Sequence, residues 1–216
     1  SYPGSCIVNL RGERFANESQ NYMAFQKDLY KQHSAESPCS PMYQIFDARF
    51  RRDYIVGPLM TASLKPDWTI PKEWFETKLV GKAATIRELA DQLGIDAGNL
   101  ERTVSKMNGF AKTGVDEDFQ RGDSAYDRYY GDPRFEPNPC LGAIDEAPFY
   151  AMRLEAGDFG TQGGLVTNPH AQVLKDDGTA ITGLYAIGNC SAAVLPTYPG
   201  PGSTLGPAMT FAYQAA

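Results

Sequence analysis

The chain has 216 residues, 42% hydrophobic and 21% charged, the balance of a globular protein with one large domain or two modest ones. Its formal net charge of −6 excludes a sequence-independent nucleic-acid surface, which needs clustered Lys and Arg, and the densest basic cluster, Arg51-Arg52, is too short to supply one. No stretch reaches the roughly 18 apolar residues of a helical membrane span, and the opening SYPGSCIVNL lacks the basic flank and apolar block of a signal peptide, so a cytoplasmic setting with no integral membrane segment is expected.

From Ser5 to Arg14 the sequence alternates enough for a strand, with Gly12 as a turn or bulge inside it. Asn17-Glu18-Ser19 then opens an amphipathic helix through Tyr22, Phe25, Leu29 and Tyr30. Residues 42–50, MYQIFDARF, read as a strand because Tyr43, Ile45 and Phe46 favour extended backbone. Gly57 to Lys72, with three prolines, reads as irregular. Thr85 and Glu88 form a capping box, predicting a helix that runs to Leu93 and stops at Gly94. Asp96 caps a second helix with Leu100, Val104, Met107 and Ala111 at helical spacing, Ile95 stapled against Leu100, and Gly114 at its end. The two predict a helical hairpin packed on a small sheet.

The Asp-, Tyr-, Gly- and Pro-rich segment GDSAYDRYYGDPRFEPNPCLGAI predicts no more than a turn or two of regular structure. APFYAMRL reads as a strand. Asp177-Gly178, between AQVL and TAI, is a hairpin signal, and LYAIG, apolar and bounded by glycine, reads as a buried strand.

Cys6, Cys39, Cys140 and Cys190 have no ligand-like spacing, and only His33 and His170 could assist them, so no metal site is expected. They read as small apolar residues in a reducing compartment, with Cys190 bordering the glycine-rich loop. His170 reads as a turn residue, and two histidines leave a Ser-His-Asp catalyst little to build on. Chemistry therefore falls to tyrosines, carboxylates or a bound cofactor.

The densest candidate is TYPGPGSTLGPAMTF, from Thr197 to Phe211. Pro199 and Pro201 fix φ and remove two donors, while Gly200, Gly202 and Gly206 permit close approaches. Pro207 is expected as the first residue of a helix through Ala208, Met209, Phe211, Ala212 and Ala215. The amides of Ser203 to Gly206 would then stand at its positive end, where an anion or an electron-rich ring can rest. A strand, a glycine-rich loop and a helix make a nucleotide-type unit, although no GxGxxG follows a strand anywhere. With serine rather than methionine at its start, the chain is expected to be a processed or excised piece.

RGERFANES, ELADQLGIDAGNLERTVSKMN, SAYDRYYGDPRFEPNPCLGAI, TQGGLVTN, GLYAIGN and TYPGPGSTLGPAMTF together resemble the flavoproteins related to fumarate reductase, and within them the 3-ketosteroid Δ1-dehydrogenases. The resemblance implies an α+β fold: the catalytic cap domain of a fumarate-reductase-type flavoprotein plus the C-terminal segment of a Rossmann-like FAD domain. Residues 1–12 would end an FAD-domain segment, 13–150 form the cap, and 151–216 return to the FAD domain. The N-terminal FAD-binding half would lie outside the chain.

The implied cofactor is FAD and the implied substrate a hydrophobic cyclic ketone, a 3-ketosteroid, desaturated next to its carbonyl; the electron acceptor is left open. Tyr198 and Gly202 match the family's donors to the C3 carbonyl oxygen, and Tyr22 matches the base that takes a proton from C2 while a hydride leaves C1 for flavin N5. Tyr30 or another of the twelve tyrosines is the alternative base, and a ring packed in the cap core is the competing reading of Tyr22. A free tyrosine titrates near 10, so such a base needs a second hydroxyl, which the family supplies from the absent half. Tyr126, Tyr129 and Tyr130 line a steroid-sized cavity or simply pack. Gly188 and Asn189 match the ribityl-diphosphate side of the flavin site. Ser203, Thr204, Leu205 and Gly206 match the amides facing N1 and O2 of its ring.

The alternatives are a fumarate-reductase-like enzyme acting on another substrate and an inert cap module in this truncated form. A dicarboxylate substrate is disfavoured, since Gly160 precedes TQGG and no Arg or Lys follows Lys175.

Overall fold

The computed structural model describes residues 2–158, 160, 163–198 and 200–216, which fall into two compact units. The first comprises residues 1–20 and 24–156, the second residues 21–23 and 157–216.

The first unit is built on a four-stranded antiparallel sheet of β1 (Ser5–Val8), β2 (Met42–Phe46), β3 (Val80–Ala83) and β4 (Phe149–Leu154), ordered β1-β2-β4-β3. Alternation along the strands divides its faces. Cys6, Val8, Tyr43, Ile45 and Ala151 turn toward a helical hairpin, while Phe46, Val80, Tyr150 and Met152 turn the other way, onto Phe50, Leu59 and Ile70.

That hairpin is α4 (Ile86–Leu93) and α5 (Ala97–Thr113), with the expected punctuation. Thr85 and Glu88 close a capping box, Asp96 accepts from the Asn99 amide at 2.7 Å, and Gly94 and Gly114 end the helices at φ 78°. Ile95 and Leu100 join the same core. Gly81 lets α4 approach β3, since a Cβ there would stand 2.9 Å from a Leu89 methyl.

Two strand expectations for this unit are corrected. The first strand stops at Val8, because Gly12 (φ +74°) lies in a turn pressed on α5, where a Cβ would come 2.7 Å from the Leu100 nitrogen. Residues 42–50 are not one strand: Asp47 accepts from the Phe50 amide at 3.0 Å and starts α2 (Ala48–Asp53). The stretch from Gly57 is irregular, as expected, apart from a 3-10 turn over Asp67–Thr69, and α3 (Lys72–Glu76) follows it. Between Gly114 and the last strand, the tyrosine-rich segment holds one short helix, α6 (Ala125–Tyr129), capped by Ser124.

RGERFANES is built around buried charge. Arg14 pairs with Glu18 at 2.8 Å and Asp116 at 2.7 Å, and Arg121 meets Glu18 at 3.3 Å, with these side chains at most 6% exposed. Glu18 also accepts from the Ile7 amide at 3.0 Å, and Asn17 donates to Asp127 at 2.8 Å. Burial alone would raise the Glu18 carboxyl, but Arg14 and Arg121 outweigh it and hold the group at about 2.

α1 (Tyr22–Gln32) begins three residues beyond Ser19, with Leu29 buried among Phe15, Cys39 and Met42, and Phe25 packed beside them. Its first two residues group with the second unit.

In the second unit, β5 (Gln172–Leu174) and β6 (Ala180–Tyr185) form the hairpin predicted at Asp177-Gly178, where Asp177 accepts from the Thr179 amide at 2.8 Å. His170 lies in the turn before β5. LYAIG is not a separate buried strand. Its first residues end β6, and Leu184 and Tyr185 are exposed because no described residue covers them. Gly188–Cys190 forms a 3-10 turn, and α7 (Leu205–Ala215) closes the chain. Pro207 is the third helical residue rather than the first, a position it tolerates because the first turn's amides have no intrahelical acceptor.

No helix among the described residues is long and apolar enough to cross a membrane.

Candidate active site

The second unit gathers the candidate residues in two places, the first around the Gly188 turn. Gly164 lies so close to it that a Cβ would fall 2.3 Å from the Cys190 carbonyl oxygen, and the Leu165 amide donates to that oxygen at 3.0 Å. Gly188 itself has φ +57°, and a Cβ there would meet the Ala208 methyl at 3.0 Å. Glycine at 164 and 188 thus lets the segment from Gly163, the turn and α7 converge.

Gly188, Asn189, Ser203 and Thr204 line one small hollow of about 30 Å³, all of whose lining residues are uncharged. Of the four predicted amides, Ser203 N–H donates to the Gly200 carbonyl at 3.2 Å and Gly206 N–H to that of Gly202 at 2.8 Å. Those of Thr204 and Leu205 have no internal acceptor among the described residues, and no side chain caps the helix. The positive end of α7 therefore has two amides able to donate to acceptor atoms from outside the helix.

The second place is Tyr198. Its ring lies against that of Tyr22, centroids 5.8 Å apart and planes 28° from parallel. Its backbone N–H donates to Met23 Sδ at 3.0 Å. Tyr22 is 62% exposed, so its ring is not core packing, and Tyr30, in the first unit, is 67% exposed. Pro199, Thr161 and Gln162 fall outside the described residues. Tyr129 and Tyr130 pack edge to face on the first unit. Cys6, Cys39 and Cys140 are buried, as expected, and burial pushes the Cys6 thiol up to about 12, whereas Cys190, the last residue of the Gly188 turn, is exposed rather than buried. A larger hollow of about 530 Å³ on the first unit, with Arg14, Arg102 and Lys106 in its wall, holds none of the candidates.

A methionine in a helix start carries no motif, so the contact of Met23 with Tyr198 could not be read from the sequence. Gly164 had a signal in the paired glycines of TQGG.

Residues 1–205 match the FAD binding domain family, and the chain belongs to it. A 3-oxosteroid 1-dehydrogenase of Mycolicibacterium smegmatis is 48% identical over 99% of this chain and 38% of its own length. A 4-oxocyclohexanecarboxylate 2-dehydrogenase of Sinomonas cyclohexanicum is 43% identical over 99% of this chain and 36% of its own. Among solved structures, the 3-ketosteroid Δ1-dehydrogenase of Sterolibacterium denitrificans, in complex with 1,4-androstadiene-3,17-dione, matches with a TM-score of 0.89 and 45% identity over 99% of this chain and 38% of that one. The fold is also that of the fumarate reductase flavoproteins. The chain spans well under half the length of these relatives.

Proposed function

We propose that the whole protein is an FAD-dependent oxidoreductase that introduces a double bond beside the ketone of a hydrophobic cyclic substrate, a 3-ketosteroid. The observation that carries this is the pairing of Tyr22 with Tyr198, two phenols from distant parts of the sequence at one point. Residues 13–150 serve as the catalytic cap and 151–216 as the returning FAD segment. The rest of the FAD domain packs on the apolar residues that β6 and α7 expose, among them Leu184, Leu205 and Met209.

The hollow of about 30 Å³ admits no more than a water-sized group, so what suits a flavin edge is the uncapped end of α7 and the uncharged residues beside it. Asn189 would hold its ribityl-diphosphate side and the Thr204 and Leu205 amides its N1 and O2 edge. Bound FAD supplies the acceptor for a hydride. The Tyr198 hydroxyl and the Gly202 amide donate to the substrate's carbonyl oxygen, so charge building there as the adjacent C–H breaks meets fixed donors. Tyr22 takes that proton.

The relative from Sinomonas favours a second substrate, a single-ring ketone carrying a carboxylate. Against it stands the lack of any Arg or Lys after Lys175.

The test is turnover of a 3-ketosteroid against its 3-hydroxy counterpart by the full-length FAD-loaded protein with a dye acceptor. Turnover of the ketone alone is expected, and equal turnover of both would remove the carbonyl site from the mechanism.

A further inference from the structure

We infer that Met23 is a positioning residue for Tyr198, an inference that rests on the reading of Tyr198 as the carbonyl donor. Tyr198 sits between Pro196 and two further prolines, at 199 and 201, in a segment poor in backbone donors. The Ala192 amide is tied to the Leu165 carbonyl at 2.8 Å and that of Ser203 to the Gly200 carbonyl at 3.2 Å. Between these two ties, Tyr198 N–H donates to Met23 Sδ at 3.0 Å.

A thioether is a weak acceptor, but an unbranched one with enough reach to follow a loop that offers no regular partner. Tyr22 and Met23, neighbours at the start of α1, thus hold Tyr198 twice, by its ring and by its amide. A ring contact alone lets the phenol slide in its own plane; the amide bond removes that freedom. A donor to a developing oxyanion loses its effect when displaced by a fraction of an ångström, so the bond bears on turnover more than on substrate capture.

The experiment compares Met23→Leu, Met23→Gln, Tyr198→Phe and the double variant Met23→Leu/Tyr198→Phe in the full-length FAD-loaded protein. Met23→Leu keeps the volume and removes the acceptor; it is expected to lower kcat roughly 10-fold with KM within about twofold. Met23→Gln offers an amide oxygen at similar reach and should recover most of that loss. In the double variant, Met23→Leu should add less than about twofold to the effect of Tyr198→Phe. Unchanged kcat in Met23→Leu, equal impairment of the Leu and Gln variants, or fully multiplicative effects would each overturn the inference while leaving Tyr198 in place. Normal turnover by Tyr198→Phe would instead overturn the reading of Tyr198 itself.

Discussion

Tyr22 and Tyr198 lie ring against ring, centroids 5.8 Å apart and 28° from parallel, although one opens the first long helix and the other stands in a proline-rich loop near the end of the chain. In the proposed reaction the two phenols have separate roles, and a Phe at either position deletes the hydroxyl while keeping a ring for the contact.

Tyr198→Phe keeps the ring contact and deletes the hydroxyl. In the full-length FAD-loaded protein, kcat is expected to fall about 10²-fold, the usual cost of one oxyanion donor, with little change in KM. Steady-state kinetics on a 3-ketosteroid checks this, and near-normal kcat would sink the role.

For Tyr22→Phe the expected loss is of proton abstraction. Exchange of the C2 hydrogens with heavy water, followed by mass spectrometry, should cease while flavin absorbance persists. Persistent exchange would move the base to another residue.

How much of this could be read in advance depended on the range of the interactions. Thr85, Glu88, Asp96, Gly94 and Gly114 act within a few residues, and the helices they bound fell where their chemistry placed them. Asp47 carried a capping signal too, but the apolar run before it masked the switch from strand to helix. The early end of β1 has a distant cause: Gly12 is pressed against Leu100, and Arg14 turns aside to pair with Asp116. The exposure of β6 could not be read from its own composition, because burial depends on what lies opposite. The loop glycines and Tyr198 stood out by density, whereas the grip of Met23 on Tyr198 depends on a helix and a loop meeting in space.

The Arg14, Glu18, Asp116 and Arg121 cluster makes the first unit acid-sensitive. Glu18 titrates near 4.3 when unfolded and at about 2 when folded, so its contribution is complete above the unfolded value and is lost as pH falls toward the folded one. Glu18→Gln leaves two buried guanidinium groups short of a carboxylate and should cost about 3–5 kcal/mol at neutral pH. Denaturant titration should also show a shallower decline in the variant than in the parent between about pH 4.5 and 2. An unchanged midpoint at pH 7 would mean that the cluster contributes nothing net.

Thiol accessibility tests the packing independently. Cys190 is exposed, whereas Cys6 is fully buried with its thiol pushed up to about 12. Iodoacetamide at pH 8 should label Cys190 in the folded chain and reach Cys6 only after denaturation. Prompt labelling of Cys6 would contradict the packing of β1 against α5.

The most direct test of the account is anaerobic mixing of the full-length FAD-loaded protein with androst-4-ene-3,17-dione, following flavin absorbance and the mass of the steroid. The account predicts bleaching of the flavin and a product lighter by two hydrogens, taken from the ring that carries the C3 ketone. Flavin that stays oxidised, with steroid recovered unchanged, would contradict it.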